Sequence, residues 1–175
     1  MTRFGWVMIT YFWVLAIGAS VFHHPTPRLL WNATASTPIG LYAVQPVRVL
    51  HVGDLVAVRP PEPVARFLAD GGYLPSGVPL LKHVSALPGG TVCRTGRLIT
   101  IDGVAIAEAR DRDSRGRDLP MWSGCRVLAA GEIFLMNRHP DSLDSRYFGP
   151  LPTASIIGCA VPLWTGDRRE FPFHP

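Results

Sequence analysis

The chain has 175 residues, of which 47% are apolar and 17% are charged, a composition typical of a folded protein of about one domain. The formal net charge is only +4 and no segment concentrates the basic residues, so we expect no nucleic-acid partner. Three cysteines without a Cys-x-x-Cys pair exclude a disulfide-dense scaffold and give no zinc spacing, and we expect neither a metal nor a cofactor.

An uncharged apolar run opens the chain, from Phe4 to Phe22. As a helix it would be about 28 Å long, which is close to the hydrocarbon thickness of a bilayer. Arg3 precedes the run and no charge directly follows it, so a cytoplasmic N-terminus and an exported body are expected. We therefore predict a membrane anchor over residues 1–24 and an exported domain over residues 25–175. A cleaved signal peptide and a buried core helix are the alternatives.

Short strand patterns separated by turns follow the anchor and predict a mainly β domain. One helix is expected at residues 62–70, because Pro63 suits a first helical turn and Gly71 suits the C-terminal stop. Asp102-Gly103 predicts a tight hairpin turn. The expected strands cover residues 40–44, 55–58, 80–84, 97–101, 104–106, 132–136 and 155–161.

Residues 109–120 (ARDRDSRGRDLP) mix both signs of charge without periodicity. This pattern favours a solvated loop, which we call the charged loop, and a partner-binding patch is the alternative.

Three separated segments carry a resemblance: residues 32–42 (NATASTPIGLY), 81–89 (LKHVSALPG) and 142–150 (SLDSRYFGP). In this order, behind an anchor of this polarity, they resemble the bacterial serine–lysine signal peptidases. They are most similar to the conjugative-transfer, TraF-type branch, whose nucleophile region reads Ser-x-Pro-x-Gly-Leu-Tyr. The resemblance implies a signal-peptidase-like, β-rich catalytic domain. Two loops, at residues 88–90 and 138–140, depart from the family pattern.

The resemblance also implies the roles of the candidate site residues. Ser36 matches the nucleophile and Lys82 the general base, while Thr34 matches the position that builds the oxyanion hole with the Ser36 backbone N–H. Ser142 matches the serine that orients the lysine amine. The family's supporting ion pair falls on Asp144 and Arg146.

The chemistry of these residue types agrees with the implied roles. A serine hydroxyl needs a base within hydrogen-bond reach, and a lysine is a base only when it is neutral. Burial lowers the pKa of a lysine, and a shift from about 10.4 to about 8 costs roughly 3 kcal/mol. Lys82 is the one lysine among 17 basic residues, and an arginine could not lose its proton. A turn serine and a surface lysine are the structural alternatives for Ser36 and Lys82.

A Ser/His/Asp triad is a further alternative. It is disfavoured because His83 directly follows Lys82 on the expected strand and so points to the opposite face.

Cys93 and Cys125 are expected to form a disulfide, since an exported domain lies in an oxidising compartment, whereas Cys159 lies in an apolar strand pattern and is expected to be a free thiol.

The resemblance implies a membrane-bound serine endopeptidase at the outer face of the bacterial inner membrane. Its partners would be membrane lipid and an exported precursor, most closely a conjugative pilin precursor. A general type I signal peptidase is the alternative within the same class. A non-enzymatic anchored component of a conjugation or secretion apparatus is the alternative from another class.

Overall fold

The structure is a computed structural model that describes residues 3–22, 28–47 and 49–166. Helix α1, Arg3–Phe22, contains the initial apolar run, and its large apolar side chains from Phe4 to Ile17 are exposed. Within the described ranges, no helix reaches the length and apolar character that a crossing of the membrane requires. The expected boundary between residues 24 and 25 lies outside the described residues.

The rest of the described chain is mainly β, which confirms the expected fold class. Its strands are β1 (Leu29–Asn32), β2 (Gly40–Gln45), β3 (Leu55–Val58), β4 (Leu80–Ala86), β5 (Thr91–Thr95), β6 (Leu98–Ile101), β7 (Val104–Glu108), β8 (Gly124–Val127), β9 (Glu132–Met136), β10 (Leu151–Pro152) and β11 (Ile156–Thr165). The helices are α2 (Glu62–Asp70) and α3 (Ser145–Phe148), and residues Thr153–Ser155 form one 3₁₀ turn.

The strands form two antiparallel sheets. The larger sheet has the order β1-β2-β11-β3-β4-β9-β10, and the smaller has the order β7-β6-β5-β8. β4 therefore lies deep in the larger sheet, between β3 and β9. Buried and half-buried residues occur along β4, and Lys82 is at one of the buried positions.

Several elements agree with the sequence analysis. Helix α2 and strands β3 and β9 occupy the expected residues. Strands β1, β5, β8 and β10 and the short helix α3 were not expected. All four residues of β8 are exposed, and a strand of four residues that begins with glycine gives only a weak strand signal. β11 continues beyond its expected end to Thr165, through a register shift at Pro162.

Buried side chains from both sheets form a common core. Val92 and Ile99 of the smaller sheet pack with Phe134 and Met136 of β9. A second cluster lies among the central strands of the larger sheet and contains Val56, Val58, Val84, Ile133 and Leu135. The central strands that carry the candidate site are thus packed within two apolar clusters.

A disulfide joins Cys93 on β5 to Cys125 on β8, in agreement with the expected pairing. The two residues lie directly opposite each other in the smaller sheet. Cys159 is a half-buried free thiol, and burial raises its pKa.

Candidate active site

The turn that carries Ser36 joins β1 to β2 and is organised by the side chain of Asn32. The buried amide Nδ2 of Asn32 donates to the carbonyl oxygens of Thr34 (2.9 Å), Thr37 (2.9 Å) and Pro38 (3.1 Å). Its Oδ1 accepts from the backbone N–H and the hydroxyl of Thr34, at 3.2 and 2.8 Å. One side chain therefore bonds to three carbonyls, one backbone N–H and one hydroxyl of the turn, which we call the nucleophile turn (residues 33–39).

The Pro-x-Gly-Leu-Tyr part of the motif has a physical reason at each end. The hydroxyl of the buried Tyr42 donates to the carbonyl of Pro38 at 2.6 Å and so fastens the end of the turn. A Cβ atom on Gly40 would lie 2.1 Å from the carbonyl oxygen of Trp164 on β11. Glycine is required there because the two strands approach so closely.

Ser36 is half-buried, and its Oγ lies 3.4 Å from Thr34 Oγ1. Thr34 itself is exposed, so the serine and its neighbouring hydroxyl are open to an approaching molecule.

Lys82 enters the site from β4 and is only 4% exposed. Its Nζ donates to Ser142 Oγ at 2.6 Å. Burial lowers the pKa of Lys82 from its usual 10.5 to about 8, an effect that the Asp144 carboxylate opposes and the Arg146 guanidinium reinforces. An appreciable fraction of this amine is therefore neutral near neutral pH, which is what a lysine general base requires.

A buried ion pair supports the segment that carries Ser142. Asp144 caps α3 by accepting the Arg146 backbone N–H, and its carboxylate accepts from Arg146 Nε at 2.9 Å and Nη2 at 2.8 Å. Arg146 Nη2 also donates to the carbonyls of His139 (2.8 Å) and Ser142 (3.1 Å). The pair closes the loop that leads into α3 and so places Ser142 against Lys82.

The structure adds Asn137, a residue that the sequence analysis missed. It is 4% exposed, and its Nδ2 donates to Thr37 Oγ1 (3.0 Å) and to the Leu81 carbonyl (2.9 Å). Its Oδ1 accepts the backbone N–H of His83 at 3.2 Å, and the His83 ring lies against the same oxygen. One amide thus ties the nucleophile turn to both neighbours of Lys82. The available signal was a single amide directly after the apolar strand pattern of residues 132–136.

Asn32 was also missed as a site residue, although it stands in the segment that carries the resemblance. The available signal was an asparagine at the end of an apolar stretch and directly before a turn rich in Ser and Thr, where asparagine side chains commonly bond to the backbone.

Ser36, Lys82, Thr34 and Ser142 all line one cavity of about 590 Å³. Asp144 and Arg146 do not line the cavity, and Arg146 reaches its wall by donating to the carbonyls of His139 and Ser142. Among the described residues, no group of three or more His, Cys, Asp or Glu side chains is arranged to hold a metal ion. The cavity therefore brings to one wall the hydroxyls of Ser36 and Ser142 and the amine of Lys82, whose pKa is lowered.

Comparison with known proteins assigns the family. Residues 1–164 match the family described as "Signal peptidase, peptidase S26". The chain belongs to this signal peptidase family. It is 39% identical over 148 residues to "Conjugal transfer protein TraF" of Agrobacterium fabrum, covering 78% of this chain and 82% of that relative. It is 36% identical over 144 residues to "Probable conjugal transfer protein TraF" of Sinorhizobium fredii, covering 77% and 76% of the two chains.

Among solved structures, a signal peptidase I from Enterococcus faecalis matches this chain. The match has 22% sequence identity and a TM-score of 0.39, and it covers 65% of this chain and 97% of the other. The expected membership in the signal peptidase family, with conjugal-transfer proteins among the relatives, is confirmed by the family and relative matches.

Proposed function

We propose that this signal peptidase family member is a serine endopeptidase with Ser36 as nucleophile and Lys82 as general base. The observation that carries the proposal is the buried amine of Lys82, whose pKa is lowered to about 8 and which lines the same cavity as Ser36. In the free protein the Lys82 amine bonds to Ser142 Oγ, and Ser36 Oγ lies beside Thr34 Oγ1. The neutral fraction of this amine would accept the proton of the Ser36 hydroxyl once the two groups are within hydrogen-bond reach, and the serine would then be a competent nucleophile.

The proposed reaction runs in two steps. Ser36 Oγ attacks the scissile carbonyl, Lys82 Nζ takes the hydroxyl proton and then gives it to the leaving amine, and the acyl-enzyme remains. Lys82 next takes a proton from water, which attacks the ester carbonyl, and returns that proton to Ser36 Oγ as the ester bond breaks and the new carboxyl end of the precursor is released. The Ser36 backbone N–H and Thr34 Oγ1 would hold the oxyanion. Because Thr34 Oγ1 donates to Asn32 in the free protein, its hydroxyl has to turn towards the substrate.

Ser142 would orient the amine of Lys82, since the neutral form keeps the hydrogen bond observed between their side chains. Asp144 and Arg146 would act as positioning residues through Ser142.

For the membrane, we propose that residues 1–24 form a single-pass anchor and residues 25–175 an exported domain in the periplasm. The continuous exposure of large apolar side chains along α1 supports this division, because such a surface needs apolar surroundings. Positive charge before the helix favours a cytoplasmic N-terminus. Carbonate extraction of membranes from expressing cells tests the anchor, and full-length protein in the soluble wash would contradict it.

For the substrate, we propose an exported precursor and, more narrowly, a conjugative pilin precursor. The names of the relatives as conjugal transfer proteins support the narrower substrate. A general type I signal peptidase shares the chemistry, so complementation of cells depleted of their housekeeping signal peptidase separates the two. Processing of many unrelated preproteins would favour the general enzyme.

The dyad is tested by co-expressing candidate precursors with the wild-type chain and with Ser36→Ala, Lys82→Ala or Lys82→Arg. All three variants should lose cleavage by a factor on the order of 10³ or more, as when other catalytic nucleophiles or bases are removed. Ser123→Ala, which removes an exposed hydroxyl outside the cavity, is the matched control and should cleave normally. Unchanged processing by Ser36→Ala would favour the non-enzymatic alternative, an anchored component of the apparatus.

A further inference from the structure

The cavity that contains Ser36 and Lys82 also extends between two loops that the proposed chemistry does not use. One loop follows α2 and covers residues 71–79, and the other is the charged loop. Apolar side chains line this part of the cavity, Leu68, Leu74 and Val78 from the α2 side and Leu119 from the charged loop. We call this part of the cavity the outer lobe.

A cluster of three side chains joins the two loops of the outer lobe. Tyr73 donates its hydroxyl to Asp113 at 2.6 Å, and Arg117 forms an ion pair with the same carboxylate at 2.6 Å. The Arg117 guanidinium also lies 4.2 Å from the centre of the Tyr73 ring and donates to the Gly71 carbonyl. These contacts hold the charged loop, expected from sequence to be merely solvated, in one position against the other loop.

The charges around the outer lobe are compensated within the protein. Asp113 is neutralised by Arg117, and Arg110 forms an ion pair with Asp141, which directly precedes Ser142. Asp113, Arg110 and Asp141 line the cavity, whereas Arg117 does not. An entering side chain therefore meets apolar walls and paired charges, which favour a neutral apolar group over a charged one.

We propose that the outer lobe is a substrate subsite that binds an apolar side chain of the precursor and so contributes to specificity. The inference rests on the proposed function, because the occupant belongs to the chain that Ser36 would cleave. The continuity of the cavity from Ser36 to the outer lobe supports one extended polypeptide as the occupant of both. An apolar pocket of this kind distinguishes leucine from alanine by roughly tenfold or more.

The experiment uses the full-length chain in detergent and decapeptides in which each position in turn is Leu, Ala, Lys or Glu. Cleavage is measured with the wild-type chain, and binding is measured by fluorescence anisotropy in the Ser36→Ala background, where it does not depend on catalysis. One peptide position is expected to prefer Leu over Ala, Lys and Glu by about tenfold. Val78→Trp, which fills the lobe, should abolish that preference, whereas Val104→Trp on exposed β7 should keep it.

Two variants each remove one partner of the Arg110–Asp141 ion pair and leave the other charge unpaired. They are expected to change the binding of charged peptides in opposite directions, which misfolding would not do. Asp141→Asn frees Arg110 and should improve binding of Glu at the same peptide position, by about 2- to 5-fold, as expected for a partly exposed ion pair. Arg110→Gln frees Asp141 and should improve binding of Lys instead.

The outcomes separate the inference from the proposed function. A Leu preference in binding without any cleavage by the wild-type chain would count against the proposed function alone. The inference would be overturned if the wild-type chain cleaved the peptides without preferring Leu at any position, or if Val78→Trp left the Leu preference unchanged. It would also be overturned if Asp141→Asn and Arg110→Gln changed the binding of Glu and Lys peptides in the same way.

Discussion

The two sides of the candidate site are built in different ways. Lys82 and its supporting residues are almost completely buried, lie on or beside central strands, and are joined by hydrogen bonds. The nucleophile turn lies at the edge of the larger sheet, with Ala33, Thr34 and Ala35 exposed, and depends mainly on the buried Asn32. Under the proposed roles, Lys82 would need burial because the pKa of a general base must be low, whereas Ser36 would need access because a polypeptide must reach it.

Among changes on the two sides of the site, Arg146→Met is expected to lower the free energy of unfolding the most. The change leaves Asp144 buried without its partner, and removing one member of a buried pair costs about 3–5 kcal/mol of unfolding free energy. The variant also removes a charge that lowers the pKa of Lys82, so the rise of kcat/KM with pH should move to higher pH. Chemical denaturation and a pH–rate profile measure the two effects.

Arg126→Met is the control for this change, because it breaks an ion pair that is partly exposed, whereas the Asp144–Arg146 pair is fully buried. A loss of about 1 kcal/mol or less is expected there. Equal losses in the two variants would show that the burial of the Asp144–Arg146 pair does not increase its contribution to stability.

A smaller effect, of opposite sign, is expected from Lys82→Met. Lowering the pKa of Lys82 from 10.5 to about 8 costs about 3 kcal/mol of stability below pH 8, and the lost hydrogen bond to Ser142 offsets about 1 kcal/mol. The inactive variant should therefore be about 2 kcal/mol more stable than wild type at pH 7.

The stability difference between wild type and Lys82→Met should depend on pH. Between pH 8 and 10.5 the folded wild type has lost the Lys82 proton while the unfolded chain still holds it, so wild-type stability rises with pH. The advantage of Lys82→Met should shrink across this window in denaturation experiments. A constant difference from pH 7 to pH 10 would contradict the lowered pKa.

The smallest effect is expected from Asn32→Ala, on the nucleophile side. Loss of the amide loosens the turn that aims Ser36, and we expect kcat to fall by about tenfold, as for a positioning group that costs about 1.4 kcal/mol. The midpoint of the pH profile should stay near 8, since Lys82 is untouched. A shifted midpoint would mean that the two sides are coupled more tightly than their separate construction indicates.

Much of this architecture was predictable from the sequence. The hairpin turn Asp102-Gly103 and helix α2 depend on local rules of turn and cap chemistry, and the structure places both as expected. The apolar residues around Lys82 are compatible with its burial, but they leave open to which face of the strand its side chain points. The direct bond between Lys82 and Ser142 joins residues 60 positions apart, and only the resemblance to a family brought them together in advance.

The remaining features depend on contacts that local patterns do not contain. Asn137 links Thr37 to Leu81 across 100 and 56 positions of sequence. The charged loop was predicted to be solvated because it mixes both signs of charge without periodicity, and contacts of Tyr73 with Asp113 and Arg117 join it to the loop that follows α2. Strand β8 has four exposed residues and begins with glycine, so its sequence gives only a weak strand signal.

The presence of a single lysine has a consequence for protein chemistry in the laboratory. With a pKa of about 8, about one Lys82 side chain in ten is neutral at pH 7, against about three in ten thousand for a lysine of ordinary pKa. Acylating or reductively methylating reagents small enough to enter the cavity would therefore modify one side-chain amine in the whole molecule. The α-amine of the chain has a similar ordinary pKa and would also react, so labelling has to be measured on the peptide that contains Lys82. Labelling at Lys82 should follow the fraction of inactivated protein, and a bound peptide should protect against both.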